Sequence, residues 1–357
     1  MIDLGTARRP GALTRRSMLA LTGTLGTAWT LGGRAGRAQE PAHTFRVALQ
    51  YPLSSNLGDN LIEFKDLVEV ISNGSIQVDI IPDGRLVADE RVPEAVASGE
   101  IEMGVATTGA LGFVVPLADV FQIPFIFTTN AVVRDATSAT SPIRQAIDGG
   151  LLEKGARVLW WQAGGSAVTI SRDEPVRLPE DLNGKTVAVG GELLSHWVAQ
   201  LGGKPVQPPP VADYGTERTE AIDVAMVPAD AVRSARLDRY MRGFTATNHV
   251  SFEHAVLIND EVWQRLDRPQ KQVIEEASLR VERVLRGSIL QTENQAAAYP
   301  QSVGMEVHQL SVEETLAWQR SGEQAAADYI ARTGEAGQRL LDVARQLEEP
   351  GGQILPN

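Results

Sequence analysis

The sequence predicts an α/β fold in two parts, and three observations predict it. The 357-residue length suits two domains of roughly 150 residues each. Apolar residues make up 43% and charged residues 22%, which is enough apolar mass for real cores and unlike a disordered or fibrous chain. Short alternating runs exchange with runs at helical spacing, the order of strand–helix–strand units around a mainly parallel sheet.

The elements follow in order. Phe45 to Gln50 alternates apolar and polar residues and reads as a strand, broken by Tyr51-Pro52. Leu57, Leu61, Phe64, Leu67, Val68 and Ile71 share a helical face, and Asn73-Gly74 ends that helix. Ile76 to Ile81 is a second strand, closed by Pro82-Asp83-Gly84. A helix from Asp89 to Ser98 precedes a short strand at Met103 to Val105. A second α/β region begins with a strand at Arg157 to Trp161, and Gly164-Gly165-Ser166 reads as the turn after it. Val168 to Ser171, Lys185 to Val189 and Ile222 to Met226 are further strands. Between them lie a helix from Leu193 to Leu201 and a turn-rich stretch from Lys204 to Pro210. The last third is helical. Asp267 caps a helix with Pro269 in its first turn, and Ser311 with Glu314 forms a capping box before another long helix.

The amino terminus has a different character. The first 38 residues hold six Arg and one Asp, so the rest of the chain carries a formal charge of -17. Thr14-Arg15-Arg16-Ser17-Met18-Leu19 opens an uncharged stretch to Gly33, too short and too polar for a membrane span. Gly36 and Ala38 suit the -3 and -1 positions of a cleavage site. Residues 1–38 therefore read as a secretory signal peptide, and Arg15-Arg16 before a weakly apolar core marks the twin-arginine type. A general secretory signal that happens to hold two arginines is the alternative. Either route implies a periplasmic protein.

Composition narrows the chemistry. The absence of cysteine excludes disulfides, Cys-ligated zinc, iron–sulfur clusters and thiol nucleophiles. A net charge of -12 argues against nucleic acid as a partner. The five histidines make no HExxH spacing, and there is no nucleophile elbow, phosphate loop or dinucleotide fingerprint. We expect no metal, no cofactor and no enzymatic activity. Gly190-Gly191 after a strand is open to two readings, a plain turn or a close backbone approach to a ligand. An exported two-part α/β chain without catalytic groups suggests solute binding between lobes that close on a hinge.

Several stretches carry a family resemblance. They are Ile80 to Leu86, Val92 to Met103 with Gly99-Glu100-Ile101-Glu102-Met103, Asp119 to Phe127, and Leu178-Pro179-Glu180-Asp181-Leu182-Asn183-Gly184-Lys185. Thr247-Asn248-His249 and the run from Val262 to Gln272 add to them. In order and spacing they resemble the DctP-type solute-binding proteins of TRAP transporters. The resemblance implies a two-lobed periplasmic-binding-protein fold, with hinge strands and long C-terminal bracing helices. On that pattern lobe I is 44–166 with 253–300, and lobe II is 167–252 with 301–350. It also implies a function: capture of a small solute and delivery to a TRAP membrane permease. A sensor or interaction paralogue of the same fold is the alternative.

Family members commonly hold a ligand carboxylate with an Arg after Gly-Lys. The resemblance places Ala188 there, Val168 at a second Arg position and Val227 at a ligand-facing Asn. The other pocket candidates are Gln50, Tyr51, Asp89, Thr107, Thr108, Trp161, Gln162, Gly191, Tyr214 and His254. Such a lining favours a neutral or apolar-bodied solute. A monocarboxylate requires a replacement donor, for which protonated His254 and a backbone amide near Gly191 are the candidates, with Arg91 or Arg172 as fallbacks.

Overall fold

A computed structural model describes residues 41–210, 213 and 217–348. The expected signal peptide, with Arg15 and Arg16, and the candidate Tyr214 lie outside the described residues.

The chain opens with β1 (His43–Ala48), α1 (Asn56–Ile71) and β2 (Ile76–Ile81). Ser55 caps α1 by accepting from the Gly58 amide, and Leu57, Leu61, Phe64 and Val68 are buried along one face. Asn73 and Gly74, both at positive φ, turn the chain out of the helix. Next come α2 (Val92–Ser98), β3 (Met103–Thr107), α3 (Thr108–Gly112), α4 (Asn130–Ala136) and α5 (Pro142–Glu153). The expected helix from Asp89 begins instead as a 3-10 turn, Asp89–Arg91.

β4 (Ala156–Ser171) is one 16-residue strand, where the sequence suggested two strands and a turn. Its pairing shifts register between Val158 and Trp160 and again between Ala163 and Gly165. Gly165 has φ +90, and a Cβ on Gly164 would lie 2.6 Å from the His254 ring. Two glycines let the strand bend and continue where larger residues would stop it.

The second half contains β5 (Thr186–Ala188), α6 (Glu192–Gln200), β6 (Lys204–Val206), α7 (Glu217–Glu220), β7 (Val224–Pro228), α8 (Ala229–Ser234) and β8 (Gly243–Thr245). Part of the stretch expected as turn is thus the strand β6. β9 (Ser251–Asn259) is buried along its whole length. α9 (Asp260–Arg265), α10 (Arg268–Ser302), β10 (Glu306–His308), α11 (Val312–Ser321) and α12 (Glu323–Glu348) complete the chain. Asp267 and Ser311 cap α10 and α11 as the sequence indicates, each within a capping box. α12 is broken at Gly334, whose φ/ψ of 62/-147 is not helical.

The strands run in the order β2-β1-β3-β9-β4-β7-β5-β6, with β8 paired to β4 and β10 to β8. The sheet is mixed rather than mainly parallel. β1, β2 and β3 are mutually parallel, as are β5, β6 and β7, but the central β9 and β4 join them through antiparallel pairings. Apolar cores cover both faces of each half. Trp160 belongs to a core with Phe64 of α1 and Ile274 of α10, while Trp161 belongs to one with Phe121 and Tyr329. Neighbours on a strand point to opposite faces, so this pair fastens helices to both sides of β4. No helix among the described residues is long and apolar enough to cross a membrane.

Candidate functional site

A cleft of about 200 Å³ lies where the two halves of the sheet meet. It is built from the segments that follow the carboxyl ends of strands. Gln50 and Tyr51 follow β1, Thr107 ends β3, Gly190 follows β5, Gln207 to Pro210 follow β6, and Met226 to Pro228 end β7. Ligands of open α/β sheets bind at such carboxyl ends. Ala231, Ala235, Leu237 and Phe252 complete an apolar wall.

The polar groups gather on the opposite side. Thr107 Oγ1 donates to Asp89 Oδ2 at 2.6 Å and the Thr107 amide donates to Asp89 Oδ1 at 3.3 Å. Burial pushes the Asp89 carboxyl up to about 6 against the pull of those donors, and Glu90 adds to the rise. Gln50 donates through Nε2 to the Val87 carbonyl. Gln122, only 2% exposed, also lines the cleft. Its Nε2 donates to Thr108 Oγ1 at 2.9 Å, and its Oε1 has no hydrogen-bond partner among the described residues.

Of the residues singled out in the sequence, Gln50, Tyr51, Asp89, Thr107 and Val227 line the cleft. Thr108 is fully buried behind it and orients Gln122. Val168 and Ala188 pack with Val227 in one apolar cluster, and of these three Val227 lines the cavity, together with Ala231 and Leu237 of the same cluster. Trp161 is a core residue, donating to Asp148 at 3.0 Å. Gln162 is also core, donating to Asn60 at 2.6 Å. Gly191, at φ +87, is the N-cap of α6 and sits beside Gly190 of the lining. Residues missed in the sequence include Gln122, Phe252 and the proline run Pro208 to Pro210. A Pro run after a strand was the one signal available, since it fixes an extended segment.

The proposed replacement cation is corrected. His254 is fully buried, its Nε2 lies 3.2 Å from the Tyr51 hydroxyl, and burial pushes it down to about 4. It is a neutral imidazole behind Tyr51, not a charged anchor. The fallback arginines are also placed elsewhere. Arg91 pairs with Glu100 at 2.8 Å, and Arg172 donates to the Ile222 and Thr219 carbonyls. Among the described residues the cleft lining contains no Lys or Arg.

The two halves touch across the mouth. A Cβ on Gly84 would lie 3.3 Å from Pro210 Cβ, and one on Gly109 would lie 3.0 Å from Gly191 Cα. Arg332 of α12 bridges Asp119 at 2.9 Å and Glu192 of α6 at 3.2 Å.

Comparison with known proteins adds the following. The family model described as DctP, bacterial extracellular solute-binding protein, family 7, matches residues 48–333. The C4-dicarboxylate-binding periplasmic protein DctP of Rhodobacter capsulatus is 25% identical, over 86% of this chain and 91% of its own length. The ectoine-binding periplasmic protein TeaA of Halomonas elongata is 26% identical, over 78% and 82%. In structure, the sugar acid binding protein DctPAm of Advenella mimigardefordensis, in complex with galactonate, superposes with a TM-score of 0.80 at 20% identity, covering 87% of this chain and 99% of that one.

Proposed function

We propose, because this chain belongs to the DctP family of bacterial extracellular solute-binding proteins, that it captures a small solute in the periplasm and delivers it to a TRAP-type membrane permease. The observation that carries the reading is the cleft at the strand ends, walled by both halves of the sheet. The lobe boundaries proposed from the sequence fit the change of partner along β4. Up to Ser166 it pairs with β9, and from Ala167 it pairs with β7. β4 and β9 would then serve as the hinge.

Relatives differ in what they are named for, C4-dicarboxylates in one and ectoine in another, so the fold does not fix the solute. The apolar cluster of Val168, Ala188 and Val227 supports a ligand not held by an arginine–carboxylate clamp. An apolar wall offers nothing to a desolvated carboxylate.

Closure is tested at Gly109. Its Cβ-free surface permits the approach to Gly191, so Gly109→Leu is expected to wedge the lobes apart. The variant should fold, capture at least tenfold less solute from a cell extract, and keep a larger radius of gyration in small-angle scattering. Full capture with full compaction would refute closure at this contact. Export is tested by Arg15→Lys with Arg16→Lys, which should leave folded precursor in the cytoplasm. An unchanged periplasmic yield would assign the general secretory route instead.

A further inference from the structure

We infer that the solute carries a cationic nitrogen, a protonated amine or an amidinium on an apolar body, seated on the Asp89 carboxylate and the Gln122 side-chain oxygen. The inference rests on the proposed reading of the cleft as a solute site and specifies its ligand class.

The cleft is rich in acceptors. Each Asp89 oxygen takes one bond from Thr107, and a carboxylate has about four acceptor positions. Glu90 lines the same side. Gln122 Oε1 is a buried acceptor without a donor among the described residues, and groups of that kind call for a partner. No Lys or Arg among the described lining residues balances the two acids, and His254 is neutral and turned to the Tyr51 hydroxyl.

Charge decides between ligand classes. A carboxylate would face Asp89 and Glu90 with no Lys or Arg among the described lining residues. A hydroxyl would satisfy the acceptors but gain only neutral hydrogen bonds. An N–H cation makes charge-assisted bonds, roughly twice as strong as neutral ones. Phe252 and Tyr51 also line the cavity, and aromatic faces attract cations. Beyond the first 38 residues the chain carries -17, which draws cations and repels anions. The apolar wall of Met226, Val227, Ala231 and Leu237 suits a hydrocarbon body.

Two measurements test this. The full chain is loaded from a bacterial metabolite extract and then denatured, and the released compound is identified by accurate mass and by ion exchange at pH 7. Retention on a cation exchanger is expected. Retention on an anion exchanger, or on neither, overturns the cationic ligand and leaves the solute site standing. Release of no compound overturns both. The protein is also titrated calorimetrically with three isosteres, benzamidine, benzamide and benzoate. Benzamidine should bind at least tenfold more tightly than benzamide. Asp89→Asn, which keeps an oxygen for the Thr107 hydroxyl, should weaken benzamidine tenfold to a hundredfold and leave benzamide within threefold. Equal binding of benzamidine and benzamide, tighter binding of benzoate, or indifference of benzamidine to Asp89→Asn would overturn the assignment.

Discussion

Trp160→Ala is expected to destabilise the protein by about 3–5 kcal/mol, the range for removing a large buried aromatic side chain. Trp160 is fully buried and packs against Phe64 with ring centroids 4.6 Å apart. Its Nε1 donates to Asn60 Oδ1 at 3.1 Å. That same oxygen accepts from Gln162 Nε2, and Asn60 Nδ2 donates to the Val281 carbonyl of α10 at 2.8 Å. One ring therefore joins α1, β4 and α10. Its loss would leave a cavity between rigid layers, where collapse is incomplete. Trp160→Phe keeps much of the volume but not the N–H and should cost less, about 1–3 kcal/mol. Trp263 is the contrasting case. It belongs to the same core at 7% exposure and lies beneath Arg157 and Lys271, which can cover part of the gap, so Trp263→Ala should cost less than Trp160→Ala. Urea unfolding of the three variants provides the ranking. A loss under 1 kcal/mol for Trp160→Ala would mean that α1 and α10 close over the gap.

Trp160 and its neighbours Trp161 and Gln162 on β4 show what was legible in the sequence. β1, α1, β2 and the caps of α10 and α11 rest on local signals: alternation, helical spacing and side-chain caps. These survive in the structure because the local preference and the tertiary packing agree. Gln50, Tyr51, Asp89, Thr107 and Val227 reach the cleft because each follows or ends a strand, or opens the next helix, and such positions converge at one edge of an α/β sheet. Trp161 and Gln162 do not reach it. Two register shifts interrupt β4, and each one changes which face the following residues present. Alternation counted along that sequence therefore cannot say which side chains face the cavity. Gln122 was hidden for another reason. It ends the 3-10 segment Pro116–Gln122, which has no strand or helix period, and its position depends on Thr108, 14 residues earlier. β9 was not read as a strand because, buried on both faces, it lacks the polar alternation that marks a half-buried one.

Glu253 on β9 leads to the second large effect, which is a dependence of stability on pH. Its carboxylate is fully buried, and neither oxygen has a hydrogen-bond partner among the described residues. The Arg286 guanidinium approaches no closer than 3.6 Å. Burial, with Glu282 nearby, pushes Glu253 up to about 8 against the pull of Arg286 and Arg144. A carboxyl whose folded value is raised binds its proton more tightly in the native state. Its stabilising effect is complete below the unfolded value near 4.5 and is lost as pH rises through about 8. The loss is on the order of 5 kcal/mol, at about 1.4 kcal/mol per unit of displacement. Asp119, raised to about 7 by burial, acts in the same direction. The buried histidines oppose both carboxyls. Burial lowers His249 to about 3 and His254 to about 4, so they withdraw stability as pH falls below about 6.5. Between pH 4.5 and 6.5 the two kinds of group oppose each other, with Asp89, raised to about 6, adding to the carboxyls, and above pH 6.5 only Asp119 and Glu253 remain. The parent should therefore lose stability most steeply between pH 6.5 and 8.5. Glu253→Gln keeps the shape and removes the ionisation. It should match the parent within about 1 kcal/mol at pH 5 and exceed it by several kcal/mol at pH 9. Urea unfolding at pH 5, 7 and 9 measures the difference, and parallel curves for parent and variant would show that Arg286 compensates the Glu253 charge in full. Because β9 spans the junction of the two halves, an ionised Glu253 would place a buried charge, paired with Arg286 at 3.6 Å, on the strand proposed to bend when the cleft closes.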